Sequence, residues 1–225
     1  RKRANWFGGV NPCAEILLSG AGSFCNLVEV DLAKFNGKFT ELLRAVYLIA
    51  RANYRQTCVN LDDGILSKAW NESNNFLRLC GVGLTGICRW EYQDSADHFQ
   101  ALKKEAKLGA ESMAEELGLP LPQAVTTVKP SGTISKIMDT TEGVHKPLGR
   151  YIFNNVNFQS DDPLVGKLKA ANYKVINNPY DNTGSIVTFP IKWDDIDFEE
   201  VEDKLVNLES AVAQLDRYKF LMDNW

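Results

Sequence analysis

Histidine is scarce, the cysteines form no CxxC pair, neither sign of charge dominates, and no apolar run reaches the length of a membrane span. Each absence removes a class of function. Two histidines, His98 and His145, and five scattered cysteines, Cys13, Cys25, Cys58, Cys80 and Cys88, argue against a zinc site, and no metal ligands are assigned. With 25 basic against 29 acidic side chains, the net charge of -4 offers no broad basic surface to nucleic acid. The basic start, Arg1 to Arg3, is not followed by the apolar core of a signal peptide, and no segment is predicted to enter a membrane. The default compartment is a reducing cytoplasm, where cysteines stay as thiols. No internal repeat or low-complexity linker is present.

What is present is enough apolar side chain, 44% of 225 residues, to bury one sizeable core, so one domain or a large piece of one is expected. A start at Arg1 rather than methionine, and a stop at Trp225 without a helix-ending signal, point to an incomplete chain. Acidity is local: residues 192–225 carry ten carboxylates against four basic groups, which reads as the solvated face of a helix.

Strands and helices alternate in the periodicity, which gives an α/β class. Cys25–Leu32 reads as a strand, Asn36-Gly37 as a turn and Phe39–Thr57 as an amphipathic helix. After a break at Asp62–Gly64, a short helical piece runs to Trp70 and a new helix start is expected within Asn71–Asn75. Phe76–Trp90 is apolar nearly all round and is predicted as a buried helix, with Cys80 and Cys88 in the core. Its Gly81, Gly83 and Gly86 spell GxGxxG, but no strand precedes them on this reading, so they are assigned to close packing rather than to a dinucleotide. Ser95–Leu117 is a surface helix with His98 on its solvated side, stopped by Gly118, Pro120 and Pro122. There follow strands at Ala124–Val128 and Tyr151–Phe158, a short helix from Asp162-Pro163 to near Asn172, and a hairpin of Tyr173–Ile176 with Ser185–Ile191. Asp197 and Glu200 form a possible capping box for a long last helix whose apolar stripe runs from Val201 through Leu205, Leu208, Val212 and Leu215 to Met222.

Two stretches could carry chemistry. In Asn11-Pro12-Cys13-Ala14-Glu15, strand alternation would send an amide, a thiol and a carboxylate to one face, and Cys25 follows twelve positions after Cys13. Read alone, the pentapeptide fits better a turn at Asn-Pro with a small buried thiol. The second stretch is Lys129-Pro130-Ser131-Gly132-Thr133-Ile134-Ser135, where a β-branched strand breaks into a turn before a helix. That geometry exposes backbone N–H groups to an anion, and it equally describes a plain turn with a hydroxyl cap.

Taken together, NPCAEILL, SFCNLVEV, TTVKPSGTIS, EGVHKPLGRY and QLDRYKFLMDNW, in this order and spacing, resemble the large catalytic chain of ribonucleotide reductases. The KPSGT form of the loop is most similar to the adenosylcobalamin-dependent class II enzymes, in particular the monomeric ribonucleoside triphosphate reductases. The resemblance runs end to end here but covers only the later part of the family's chain. It implies that residues 1–225 are part of a ten-stranded α/β barrel, incomplete at both ends, with a finger loop carrying a radical cysteine. Cys13 matches that cysteine, Asn11 and Glu15 its polar partners, and Cys25 one half of the reducing pair. Pro130, Ser131, Gly132, Thr133, Ile134 and Ser135 match the loop that holds the substrate phosphates. Ala14 departs from the family's glycine, a change expected to be tolerated unless that backbone needs positive φ.

The resemblance implies reduction of ribonucleotides, triphosphates in the first instance, to 2′-deoxyribonucleotides. Cys13 as a thiyl would abstract the 3′ hydrogen, Glu15 would take the 3′-hydroxyl proton, and Asn11 would hydrogen-bond the reacting substrate. Cys25 and a second cysteine would end as a disulfide, reopened by thioredoxin or a similar dithiol. None of Cys58, Cys80 or Cys88 matches the partner of Cys25, so the remaining part of the reductase chain is expected as a partner, and the segment is expected to be inactive alone. Two alternatives compete: a glycyl-radical enzyme, which shares a barrel and a cysteine radical but lacks the paired cysteine and phosphate loop, and a non-catalytic phosphate-binding or assembly fragment.

Overall fold

The computed structural model describes residues 7–20, 22–60 and 64–225. The chain divides into two compact units, one of Arg1–Lys146 with Glu209–Trp225 and one of Pro147–Leu208.

The first unit opens with an antiparallel hairpin of β1 (Phe7–Val10) and β2 (Leu17–Ser19). β3 (Leu27–Asp31) follows, then α1 (Phe39–Gln56), α2 (Lys68–Leu77) and β4 (Gly81–Thr85), which lies parallel to β3 with Leu27 opposite Gly81 and Asp31 opposite Thr85. After α3 (Ala96–Leu117) the chain runs extended along β4, with a parallel bridge between Val82 and Thr126, and turns into α4 (Thr133–Ile137). Parallel strands linked through helices are the repeating unit of an α/β sheet or barrel, and both faces must be covered. All five residues of β4 are buried, as that demands.

Helix α1 forms because Leu42, Val46, Ala50 and Tyr54 recur on one face, and all four are fully buried. They pack in one cluster with Phe99, Leu102, Ala106, Ala110 and Ala114 of α3 and with Val30, Val82 and Leu84 of the strands. Each of the larger side chains contributes about 2 kcal/mol by leaving water. The alanines of α3 leave room for α1 to approach closely.

The second unit contains β5 (Tyr151–Gln159), α5 (Pro163–Ala170), β6 (Lys174–Asn177) and β7 (Gly184–Lys192), with an antiparallel sheet in the order β5-β7-β6. Asp162 caps α5 by accepting from the Leu164 N–H at 2.8 Å, and Pro163 occupies the first turn, where no donor is needed. A small hairpin, β8 (Glu199–Val201) and β9 (Lys204–Val206), completes it. The chain then returns to the first unit as α6 (Ala211–Asn224), capped by Ser210, which accepts from the Ala213 N–H at 3.1 Å.

Several elements differ from the sequence expectation. Phe76–Trp90 is not a helix: Arg78 ends α2 in the left-handed region and β4 follows. A strand buried on both faces gives the same unbroken apolar run as a buried helix, so periodicity could not separate them. The GxGxxG glycines thus sit in and just after a strand, still without the helix that a dinucleotide fingerprint requires. Asn71–Asn75 lies inside α2 rather than at a helix start, and the Asn74 amide donates to the Thr57 carbonyl at 2.7 Å. Asp62 and Asp63 of the expected break lie outside the described residues. Ala124–Val128 runs extended beside β4 but forms only one bridge.

The predicted long last helix is a hairpin followed by a shorter helix. Glu202 and Asp203 both have positive φ (48° and 62°), which makes the two-residue turn joining β8 to β9, so Val201 and Leu205 belong to strands and no Asp197/Glu200 capping box forms. His98 is half-buried rather than simply solvated: its ring stacks on Tyr92 at 3.8 Å between centroids, and its Nδ1 lies 2.7 Å from the Ser95 hydroxyl. No helix among the described residues is long and apolar enough to cross a membrane.

Candidate active site

The Asn11–Ile16 stretch is a tight turn between β1 and β2, not the strand whose alternation would align its side chains. Buried Asn11 organises it. Its side-chain oxygen accepts from the Ile16 N–H at 3.1 Å, its carbonyl accepts from the Ala14 N–H at 2.9 Å, and its amide donates to Glu15 Oε1 at 2.6 Å. The turn forces Ala14 to φ 59°, the left-handed region where a Cβ is unfavourable, so the condition set on the Gly-to-Ala departure is met and the loop carries strain.

Cys13 is exposed on this turn, and Cys25 is exposed on the connection from β2 to β3. The approach to Cys25 is pinned by three hydroxyls: Ser19 Oγ lies 2.6 Å from Ser73 Oγ and 2.9 Å from Ser23 Oγ, while Phe24 packs against Trp70. The two thiols share one electrostatic environment. Partial burial pushes the Cys25 thiol up from its ordinary value, the Glu15 and Cys13 charges push it further, and a hydrogen bond from Asn11 opposes them. Cys25 is therefore held as a thiol, the form that can give up a hydrogen. Glu15 Oε2 is buried and has no hydrogen-bond partner, which leaves one carboxylate oxygen free to accept a proton. Geometry thus gathers Asn11, Cys13, Glu15 and Cys25, though by a turn rather than by strand alternation.

The second stretch is partly internal. Ser131 is buried and its hydroxyl donates to Glu29 Oε1, while the Ser131 oxygen accepts from the Gly143 N–H at 2.9 Å. Ser135 is buried too, and its hydroxyl donates to the Gly132 carbonyl at 2.7 Å. Pro130, Gly132, Thr133 and Ile134 remain exposed, with Gly132 at φ 55° before the short α4. The hydroxyls expected to meet an anion are thus split: Ser131 and Ser135 shape the loop, and Thr133 faces outward.

An open cleft of about 580 Å³ joins the two stretches, lined by Cys13, Glu15, Lys129 and Pro130, with His145 and Tyr218 among its other walls. Its volume falls in the range of small-ligand sites. Asn11, Cys25 and Ser131–Ser135 do not line it. Helix α6 supplies one wall and is fixed at its far end, where the Trp225 indole donates to the Thr127 carbonyl at 3.1 Å. Sequence reading assigned no role to Tyr218, Gln214 or Glu29, and took Lys129 only as the start of the loop stretch. For Glu29 a signal existed: an acid between Val28 and Val30 in a strand expected to be buried needs a buried partner.

No family model matches the sequence. The adenosylcobalamin-dependent ribonucleoside-triphosphate reductase of Levilactobacillus brevis is 31% identical over 82% of this chain, and that of Lactobacillus gasseri is 28% identical over 96%. The chain spans only 28% and 32% of the length of these two relatives. A crystal structure of a B12-dependent, class II ribonucleotide reductase is similar over 97% of this chain and 34% of its own, with a TM-score of 0.76 and 26% identity. The chain is similar to the adenosylcobalamin-dependent, class II ribonucleotide reductases, and its mixed α/β fold matches a segment of that reductase structure.

Proposed function

We propose that this chain is the catalytic-core segment of an adenosylcobalamin-dependent ribonucleotide reductase acting on ribonucleoside triphosphates. The observation that carries the reading is the gathering of Cys13, Glu15 and Cys25 around buried Asn11, beside a cleft that also reaches Pro130.

Removing a hydroxyl from an unactivated ribose carbon requires a radical at the neighbouring C3′. Adenosylcobalamin, when bound, supplies the radical. Exposed Cys13 at the tip of its turn fits a thiol that must yield its hydrogen to a group outside this segment. Among the described residues no cluster of three or more His, Cys, Asp or Glu could hold a metal ion.

As a thiyl, Cys13 takes the 3′ hydrogen, and the free Glu15 Oε2 takes the 3′-hydroxyl proton. Asn11 holds Glu15 through its amide and also hydrogen-bonds Cys25, so it fixes the general base and the reducing thiol relative to each other. Loss of the 2′-hydroxyl as water is matched by two electrons and two hydrogens from Cys25 and a second cysteine in the rest of the reductase, which end as a disulfide. C3′ then regains its hydrogen from Cys13, which is left as the thiyl and returns to a thiol by taking a hydrogen back from the group that generated it. Thioredoxin or a similar dithiol reopens the disulfide by exchange. The exposed part of the Pro130–Ser135 loop anchors the substrate phosphates through its backbone and the outward-facing Thr133 hydroxyl.

The test is deoxynucleotide formation by this segment joined to the rest of the reductase, with and without adenosylcobalamin. Activity should require the cofactor and vanish in C13S. Full activity of C13S would refute the reading.

A further inference from the structure

We propose that the buried pair Glu29–Lys129 is the positioning device for the Pro130–Ile134 loop, with Gly83 as the gap through which it is built. The inference rests on the reading of that loop as the phosphate anchor.

Lys129 Nζ donates to Glu29 Oε2 at 3.0 Å, and the two side chains are only 8% and 0% exposed. The other oxygen, Oε1, accepts from the Ser131 hydroxyl. One carboxylate on β3 therefore holds both neighbours of Pro130, whose own φ is fixed by its ring. Glu29 lies opposite Gly83 in the β3–β4 register, so Lys129, arriving beside β4, must cross that strand to reach it. It crosses at Gly83: a Cβ there would lie 2.7 Å from Lys129 Cδ and 2.9 Å from Cγ. The second glycine of the GxGxxG pattern is thereby explained.

A buried ion pair adds little net stability, because desolvating both charges offsets their attraction. What this pair supplies is a fixed origin for the loop. Ser131 is tied a second time through the Gly143 N–H, which also meets Thr85 Oγ1 at 3.0 Å. From these anchors Gly132 and Thr133 emerge into solvent at a defined place. Lys129 is consequently neutralised by Glu29 and acts as a positioning residue, not as a phosphate ligand.

The experiment uses the full-length reductase containing this segment and reads KM for the ribonucleotide separately from kcat. The double variant E29M/K129M removes the pair without stranding a charge. Its KM should rise about tenfold, the scale of one lost buried anchor, with kcat within about threefold of the parent. E29Q/K129M restores an oxygen for Ser131 and should recover most of that loss. G83A touches no charge yet displaces the Lys129 stem, and should also raise KM.

Wild-type KM in a folded E29M/K129M overturns the proposal. So does wild-type KM in G83A should E29M/K129M fail to fold, and so does an E29Q/K129M protein no better than E29M/K129M, which would mark mere core filling. Failure of the underlying reading appears elsewhere. T133A, which removes an exposed hydroxyl from the loop itself, would then leave KM unchanged, whereas failure of the positioning role alone leaves T133A impaired and E29M/K129M normal.

Discussion

The turn carrying Cys13 and the entry to β4, where Cys80 precedes Gly81, place the same side chain in opposite settings. Cys13 is exposed at the lip of a cleft, beside a carboxylate and within the electrostatic reach of a second exposed thiol, Cys25. Cys80 is 4% exposed in the main apolar cluster, and burial, with a smaller push from Cys58, drives its thiol up to about 12. The lesson is that cysteine chemistry here is assigned by surroundings. A thiol that must exchange hydrogen or electrons is reached from solvent, while one that fills volume is held protonated and inaccessible.

The largest expected effect is kinetic. Burial drives the Cys80 thiol up to about 12, so near neutral pH it is held protonated as well as out of reach of a reagent. Alkylation of the native chain followed by peptide mass spectrometry should label Cys13 and Cys25 first, leaving Cys80 unmodified until unfolding. Labelling of Cys25 should continue to accelerate as pH passes 9.0, because its own midpoint is raised. Comparable rates at Cys80 and Cys13 would erase the distinction.

A smaller effect is expected at the strained turn. Ala14→Gly relieves a left-handed alanine and should stabilise the chain by about 1 kcal/mol, read as a higher urea midpoint at unchanged slope. Destabilisation would mean that the turn does not hold φ near 59° in solution.

The smallest effect lies at the other end of the strand pair. Burial raises the Asp31 carboxyl above 3.8, more than the hydrogen bonds from Thr140 and the Ala33 N–H lower it, and Oδ2 has no partner. The native state then binds this proton more tightly than the unfolded chain does. Its contribution is therefore present below 3.8 and is lost as pH rises through the higher native value. Asp31→Asn should flatten that fall in thermal unfolding measured as a function of pH, and an unchanged slope would rule Asp31 out as its source.

The α/β class and the amphipathic α1 were legible because they rest on periodicity. The strand β4 was not, since Gly81–Thr85 is buried on both faces and has no period to read. Nor was the β8–β9 turn, because Glu202 and Asp203 adopt positive φ without the glycine that usually announces it. In the site, Asn11 and Glu15 were expected side by side on one strand face, and they meet instead through a four-residue separation across a turn. Ser131 was expected to face an anion and is turned inward, because the acid that claims it lies 102 residues earlier in the chain. Pairings of that range are invisible to any local pattern.

The central claim is that Cys13 and Cys25 belong to one site with different duties, Cys13 regenerated and Cys25 consumed. A single turnover of the complete reductase without external dithiol, followed by mapping of disulfides, tests it most directly. One deoxynucleotide per site should form, with Cys25 in a disulfide to a cysteine in the rest of the reductase and Cys13 recovered as a free thiol. Product formation with Cys25 still reduced, or with Cys13 in the disulfide, would contradict the account.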